Sequence, residues 1–295
     1  QSLHGCRMLL ATFIDQLAEA NRDRPKPTLM FGTEISSPIA DESVATALNS
    51  TFNLASVQPN WSQVEPVTGD YEWLTIDETV DWAQQHRLRT MVGPILSFDA
   101  AALPDWLVLW EDDFATLQSY VVGWVREVVE RFRGEVHLWH CAAKMNSGRV
   151  LSLSDEQRLT LPVPALATIR QIDPKTPAII SFDQPWAEYM AQANTDVAPI
   201  HYADALARAN LGVGGLGLHV DWGYQPGGTL PRQPLELSQL LDQWSTLGLP
   251  LVVFLTMPSS LAEDPQKPHK LHPLPSAPLP HGGLYEAEGA AKPVP

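Results

Sequence analysis

Seven short runs of this chain are almost wholly apolar, and each of the first six is followed by a longer run whose apolar residues recur every three or four positions. The short runs are Leu29–Gly32, Leu54–Gln58, Thr90–Leu96, Val136–Ala142, Ala178–Phe182, Gly215–Val220 and Leu251–Leu255. Strands this continuously apolar cannot keep one face in water, so they predict a parallel sheet covered on both sides. The intervening runs predict helices. DESVATALNS opens on an Asp-Glu-Ser cap region, and IDETVDWAQQH carries acids in its first turn. FATLQSYVVGWVREVVERF is the longest, and SDEQRLTLPVPALATIRQID starts on a Ser154 cap before Pro162 and Pro164 interrupt it. IHYADALARAN and PLELSQLLDQWSTLG complete the set. This alternation predicts an α/β fold, a (β/α)8 TIM-type barrel. A doubly wound sheet would open on a Gly-rich phosphate turn, which FGTEISSP does not supply.

The count stops at seven, so the eighth strand reads as missing or shortened. After Met257 neither period survives, and nine of the 26 prolines fall between Pro258 and Pro295. The expected organisation is an N-terminal helix within residues 1–26, the barrel over 27–257 and a Pro-rich C-terminal segment over 258–295. With 295 residues, 44% of them hydrophobic, the barrel can bury a full core. A formal charge of −15 without a basic stripe argues against nucleic acid as a partner. No apolar run approaches the ~20 residues that span a bilayer, which predicts a soluble protein. Cys6 and Cys141 are too few for a disulfide framework or a zinc cluster, no metal or cofactor is implied, and Cys141 reads as a buried thiol. The chain opens on Gln1 without a secretory n-region or h-region, which reads as a processed chain or an excised piece.

Three stretches go beyond scaffold: NWSQVEPVTGDYEW (Asn60 to Trp73), LPDWL (Leu103 to Leu107) and LWHCAAKMN (Leu138 to Asn146). Followed by LGLPLVVFL, their order over roughly Leu29 to Met257 resembles the family-10 glycoside hydrolases, the retaining endo-xylanases. The Trp-x-x-x-Glu-Pro-x-x-Gly-x-Tyr and Leu-Pro-x-Trp-Leu patterns carry most of the resemblance. The closing PHGGLYEAEGAAKP is similar to the end of such a barrel, with another helix and strand absent before it.

The resemblance implies a catalytic glutamate at the end of strand four, within Trp-Asp-x-x-Asn-Glu. This chain reads Trp139, His140, Cys141, Ala142, Ala143, Lys144. The nucleophile within Thr-Glu-x-Asp at strand seven falls on Leu255, in the run Phe254 to Met257. The family's sugar contacts on strand two become Ser56, Val57 and Asn60 around a matching Trp61, and its Gln-x-His pair becomes His219 and Asp221. Asp183 after strand five is the polar match that survives. No Asp or Glu occurs from Val136 to Leu153 or from Gln243 to Leu261, so shifting the alignment does not restore the pair. Retaining hydrolysis needs two carboxyl groups about 5–5.5 Å apart, and neither lysine nor leucine supplies one.

Other groups are expected around the same barrel mouth. Glu34, Asp183, Asp221, His219 and Lys144 are the candidate catalytic residues; Asn60, Trp61, His140, Gln184, Trp186, Trp222 and Tyr224 are candidates for binding a carbohydrate ligand. Acids beside indoles suit hydroxyl-rich ligands. One reading is a carbohydrate-active protein with a rearranged acid/base site. The other is an inactive glycan-binding or scaffold protein, in which Lys144 neutralises Glu34 or Asp183. A Schiff-base lysine is the remote third.

Overall fold

The computed structural model describes residues 8–9, 12–13, 15–16, 19–20, 22, 29–99, 101–148, 151–191, 197–222, 228–230, 232–263 and 280–282. The predicted N-terminal helix therefore lies largely outside the described residues. The sheet contains β1 (Gly32–Glu34), β2 (Leu54–Val57), β3 (Arg89–Val92), β4 (Leu96–Ser97), β5 (Leu138–Ala143), β6 (Ala178–Asp183), β7 (Gly215–Asp221) and β8 (Leu251–Thr256). Its order is β1-β2-β3-β5-β6-β7-β8, with β4 beside β5. Every pairing in it is parallel. β3 and β4 share one strand position, broken at Gly93-Pro94, so seven positions form an open barrel of the TIM type whose eighth strand is missing or shortened.

The first strand lies a few residues later than predicted. Leu29 and Phe31, just before it, are tied to Asn53, which donates through Nδ2 to Leu29 O at 2.8 Å, accepts from Phe31 N at 2.9 Å and donates from its backbone N–H to Phe31 O at 2.9 Å. Beyond Met257, where no period predicts an element, β9 (Pro258–Glu263) pairs antiparallel with β10 (Pro280–Gly282) as a separate two-stranded sheet. Such a pair rests on backbone bonds and needs no apolar alternation.

Local chemistry explains the helix boundaries. Asp41 caps α1 (Glu42–Thr51) by accepting from Ser43 N, and Asp113 caps α4 (Phe114–Phe132) by accepting from Thr116 N. Ser154 and Gln157 form a reciprocal capping box on α5 (Asp155–Thr160), and Pro162 separates it from α6 (Pro162–Ile172). α2 (Trp61–Val64), α3 (Leu74–Gln85), α7 (Pro199–Arg208) and α8 (Pro234–Ser245) complete the described outer layer.

The core between sheet and helices is dense in tryptophan. Trp124 stacks on Trp61 at 5.3 Å and on Trp73 at 5.6 Å. Inside the barrel, strand alternation sorts the side chains into layers. Leu54, Met91, Leu138 and Ile179 form the apolar floor with Val252 and Phe254. The outer residues of the last strand, Val253 and Leu255, are 40% and 52% exposed.

Candidate functional site

Above the apolar floor lies a polar layer inside the barrel. His140 on β5 and His219 on β7 both meet the Ser181 hydroxyl on β6, through Nε2 at 2.6 and 2.8 Å. A hydroxyl carries one proton, so Ser181 donates to one imidazole and accepts from the other. Phe254 from β8 stacks on both rings, at 5.0 Å from His140 and 4.6 Å from His219. His140 is 1% exposed, and its Nδ1 is buried without a hydrogen-bond partner. Burial, and then the neighbouring His219, hold His140 far below the usual imidazole range, so it is neutral.

A pH dependence follows with a definite sign. Below about pH 6.5 an unfolded chain protonates this histidine while the folded one resists, so stability falls by up to about 1.4 kcal/mol per pH unit. Between pH 7.5 and 5.5, urea midpoints should fall more steeply for the wild type than for His140→Leu. Parallel pH profiles would contradict the assignment.

The next layer reaches the barrel mouth, and Lys144 stands at its centre. Its backbone is left-handed (φ 60°), its N–H donates to Ser181 O at 3.2 Å, and its carbonyl accepts from Gly148 N at 2.8 Å. The turn packs on Phe98 so closely that a Cβ at Gly148 would lie 2.3 Å from the Phe98 carbonyl oxygen. Lys144 Nζ donates to Asp99 Oδ2 at 2.7 Å, with side-chain exposures of 23% and 32%. Burial disfavours the ammonium, but Asp183, Asp99 and Asp221 together outweigh burial and raise its pKa. The direct ion-pair partner is thus Asp99, which follows β4; of the expected Glu34 and Asp183, Asp183 acts on the same charge without the direct bond, and Glu34 is not among the charges that act on it. Loop proximity decides this: β4 pairs with β5 at Ser97–Ala143, which brings the next residues of both strands to the same rim.

Asp183 is 6% exposed and tightly framed. Its carboxylate accepts from Ser147 Oγ and Gln184 N, each at 2.9 Å. The Asn146 amide bonds both ways to the Asp183 backbone, donating to its carbonyl at 2.8 Å and accepting from its N–H at 3.0 Å. Asp221 is 4% exposed at the end of β7, beside Thr256. The structure therefore brings Lys144, Asp183 and Asp221 together, with His219 below them in register with Asp183. Glu34 lies exposed at the end of β1 opposite Ser56, and it is not among the charges acting on Lys144. Leu255, at the nucleophile's place in the resemblance, sits on the outer side of β8, while Phe254 faces the histidines.

The predicted binding residues occupy several places. Asn60 caps α2, accepting from Ser62 N at 3.1 Å. Trp61 is 2% exposed in the core, donating to Glu65 Oε2 at 2.7 Å. That glutamate also accepts from Gly69 N at 2.8 Å, so the Trp-x-x-x-Glu-Pro-x-x-Gly motif builds a turn. Gln184 is buried just past β6 with φ 45°. Trp186 packs against the core, and the Arg232 guanidinium lies over its ring at 5.3 Å. Trp222 has a buried Nε1 with no partner. Tyr224 lies outside the described residues. Trp139 faces the helices, donating to Asp173 Oδ2 at 3.0 Å.

Sequence reasoning missed Ser181, Asn146, Ser147, Glu188 and Arg232. For Ser181 the signal was present: it is the polar residue of an otherwise apolar strand, two positions before Asp183 and so on the same face. Among the described residues, no group of three or more His, Cys, Asp or Glu could hold a metal ion. Cys141 is a buried thiol whose pKa burial pushes up to about 12. Among the same residues, no helix is long and apolar enough to cross a membrane.

The profile of Glycosyl hydrolase family 10 matches residues 21–145. A xylanase of that family from Thermobacillus composti is similar at 17% identity, over 87% of this chain and 75% of its own, with a TM-score of 0.61. An endoxylanase from a sugarcane soil metagenome has 12% identity and a TM-score of 0.61, over 78% of this chain and 66% of its own. Xylanase 10B from Thermotoga maritima has 15% identity and a TM-score of 0.59, over 79% and 72%. The chain thus spans between about two thirds and three quarters of the length of these enzymes.

Proposed function

Because the chain has the fold of the family-10 glycoside hydrolases, we propose that residues 27–257 form a carbohydrate-binding barrel that does not hydrolyse xylan. One observation carries the reading: an ammonium, bonded to Asp99 at 2.7 Å, stands at the strand end where the resemblance puts the acid/base carboxyl. Asp183 and Asp221 act on the same charge, so acidic groups at the mouth are engaged in holding a cation. An ammonium of raised pKa is a poor proton donor at neutral pH. Hydrolysis with retention would need a second carboxyl as nucleophile, and Leu255 stands at that position in the alignment.

A relative from Thermotoga petrophila forms a complex with xylobiose, which makes xylo-oligosaccharides the first ligands to test. Titration calorimetry with xylohexaose should give saturable binding, and the same mixture should release no reducing sugar over days. A second reading, a rearranged glycosidase, draws support from Asp183 and Asp221 being buried on adjacent strand ends. It would prevail if xylan or another glycoside were cleaved at a rate that Asp183→Asn or Asp221→Asn abolishes.

A further inference from the structure

Side chains that follow β6 and one that precedes α8 meet in a second cluster. Trp186 and Glu188 follow β6, and Arg232 precedes α8. Arg232 donates to Glu188 Oε1 at 3.0 Å and lies 3.6 Å from Glu236 Oε1, with its guanidinium 5.3 Å from the Trp186 ring centroid. The Arg232 and Glu188 side chains are 25% and 15% exposed. Within this pair, Arg232 Nε and Glu188 Oε2 are both buried without a hydrogen-bond partner. A buried donor and a buried acceptor left unmade side by side mark an arrangement that a hydroxyl-bearing ligand can improve.

We propose that Trp186, Glu188 and Arg232 form a sugar subsite closed at rest by Arg232, and that a pyranose ring opens it by displacing the guanidinium from the indole. This rests on the carbohydrate reading above. The chemistry fits a sugar in three respects. The indole offers an apolar face for a ring. Glu188 Oε2, a buried acceptor without a partner, can accept from a hydroxyl of that ring. The cluster's formal charge is −1, one arginine against Glu188 and Glu236, which selects neutral sugars over uronates. Arg232 would thus be a specificity-determining residue that competes with the ligand for Trp186.

Two measurements separate the gate from its occupant. Hydroxyl-radical footprinting with mass-spectrometric readout reports Trp186 directly in the unliganded chain. Arg232→Ala should raise Trp186 labelling several-fold, and unchanged labelling would overturn the closed subsite. Titration with xylohexaose and cellohexaose then reads the occupant. Arg232→Ala should tighten binding about three- to tenfold by removing the competing cation. Trp186→Ala should abolish that gain in the double variant. Weaker or unaltered binding by Arg232→Ala, or a gain that survives Trp186→Ala, would overturn the proposal that sugar displaces the guanidinium. If labelling rises yet no chain binds either sugar, the gate stands and the carbohydrate reading fails.

Discussion

Gly93→Ala should fail to fold, or unfold with a loss of about 4–5 kcal/mol or more, a large part of a domain's total stability. Gly93 has φ 129°, a conformation that L side chains rarely adopt. A Cβ there would lie 2.1 Å from the His140 carbonyl oxygen and 2.7 Å from its Cβ. Neither obstacle can yield cheaply. The same carbonyl accepts from Ile95 N at 2.9 Å, and Gly93 N itself donates to Val57 O at 2.9 Å. Moving β5 away would also pull His140 from Ser181 and Phe254. Gly69→Ala is the control: φ is 82°, but nothing lies within 4 Å of its Cβ, so strain alone should remove about 1–2 kcal/mol. Urea denaturation followed by circular dichroism compares the two. A Gly93→Ala chain within about 1 kcal/mol of wild type would show that the strand contact is not as close as described.

Lys144→Met should destabilise the barrel by about 2–3 kcal/mol at neutral pH, less than the ~3–5 kcal/mol of a fully buried broken ion pair, because the lysine keeps some solvent contact. Methionine fills similar volume but leaves Asp99, Asp183 and Asp221 without their shared cation. The pH dependence distinguishes this from lost packing. In the wild type the folded-state pKa of Lys144 is raised, so its contribution is complete below about pH 10.5 and is lost as pH rises through the raised value. Acid neutralises carboxylates, so the gap between wild type and variant should narrow as pH falls below about 4. It should close above the lysine's pKa as well. A gap constant from pH 7 down to pH 2 would mean that the side chain acts through packing alone.

The scaffold was legible because burial imposes a period. Strands such as Ala178–Asp183 and Leu138–Ala143 are buried at every position, and a segment with no wet face must read as continuously apolar. Helix limits were legible where a single side chain sets them, as at Ser154 and Pro162. The partner of Lys144 was not, since Asp99 lies 45 residues away in a loop and three other carboxylates were equally plausible by strand-end position. The place of Trp61 was hidden for a related reason. An indole suits a sugar platform and a protein core alike, and Trp61 is satisfied by Glu65 inside the protein.

What the residue order alone determined was a run of seven buried parallel strands with helices between them and Lys144 just past the fourth, because local periodicity and residue identity need no contact information. Which charges meet the ammonium, which rings face the mouth and where Arg232 rests were decided only by the tertiary structure. Those choices depend on strand register and loop closure, which bring together residues dozens of positions apart and leave no local pattern behind.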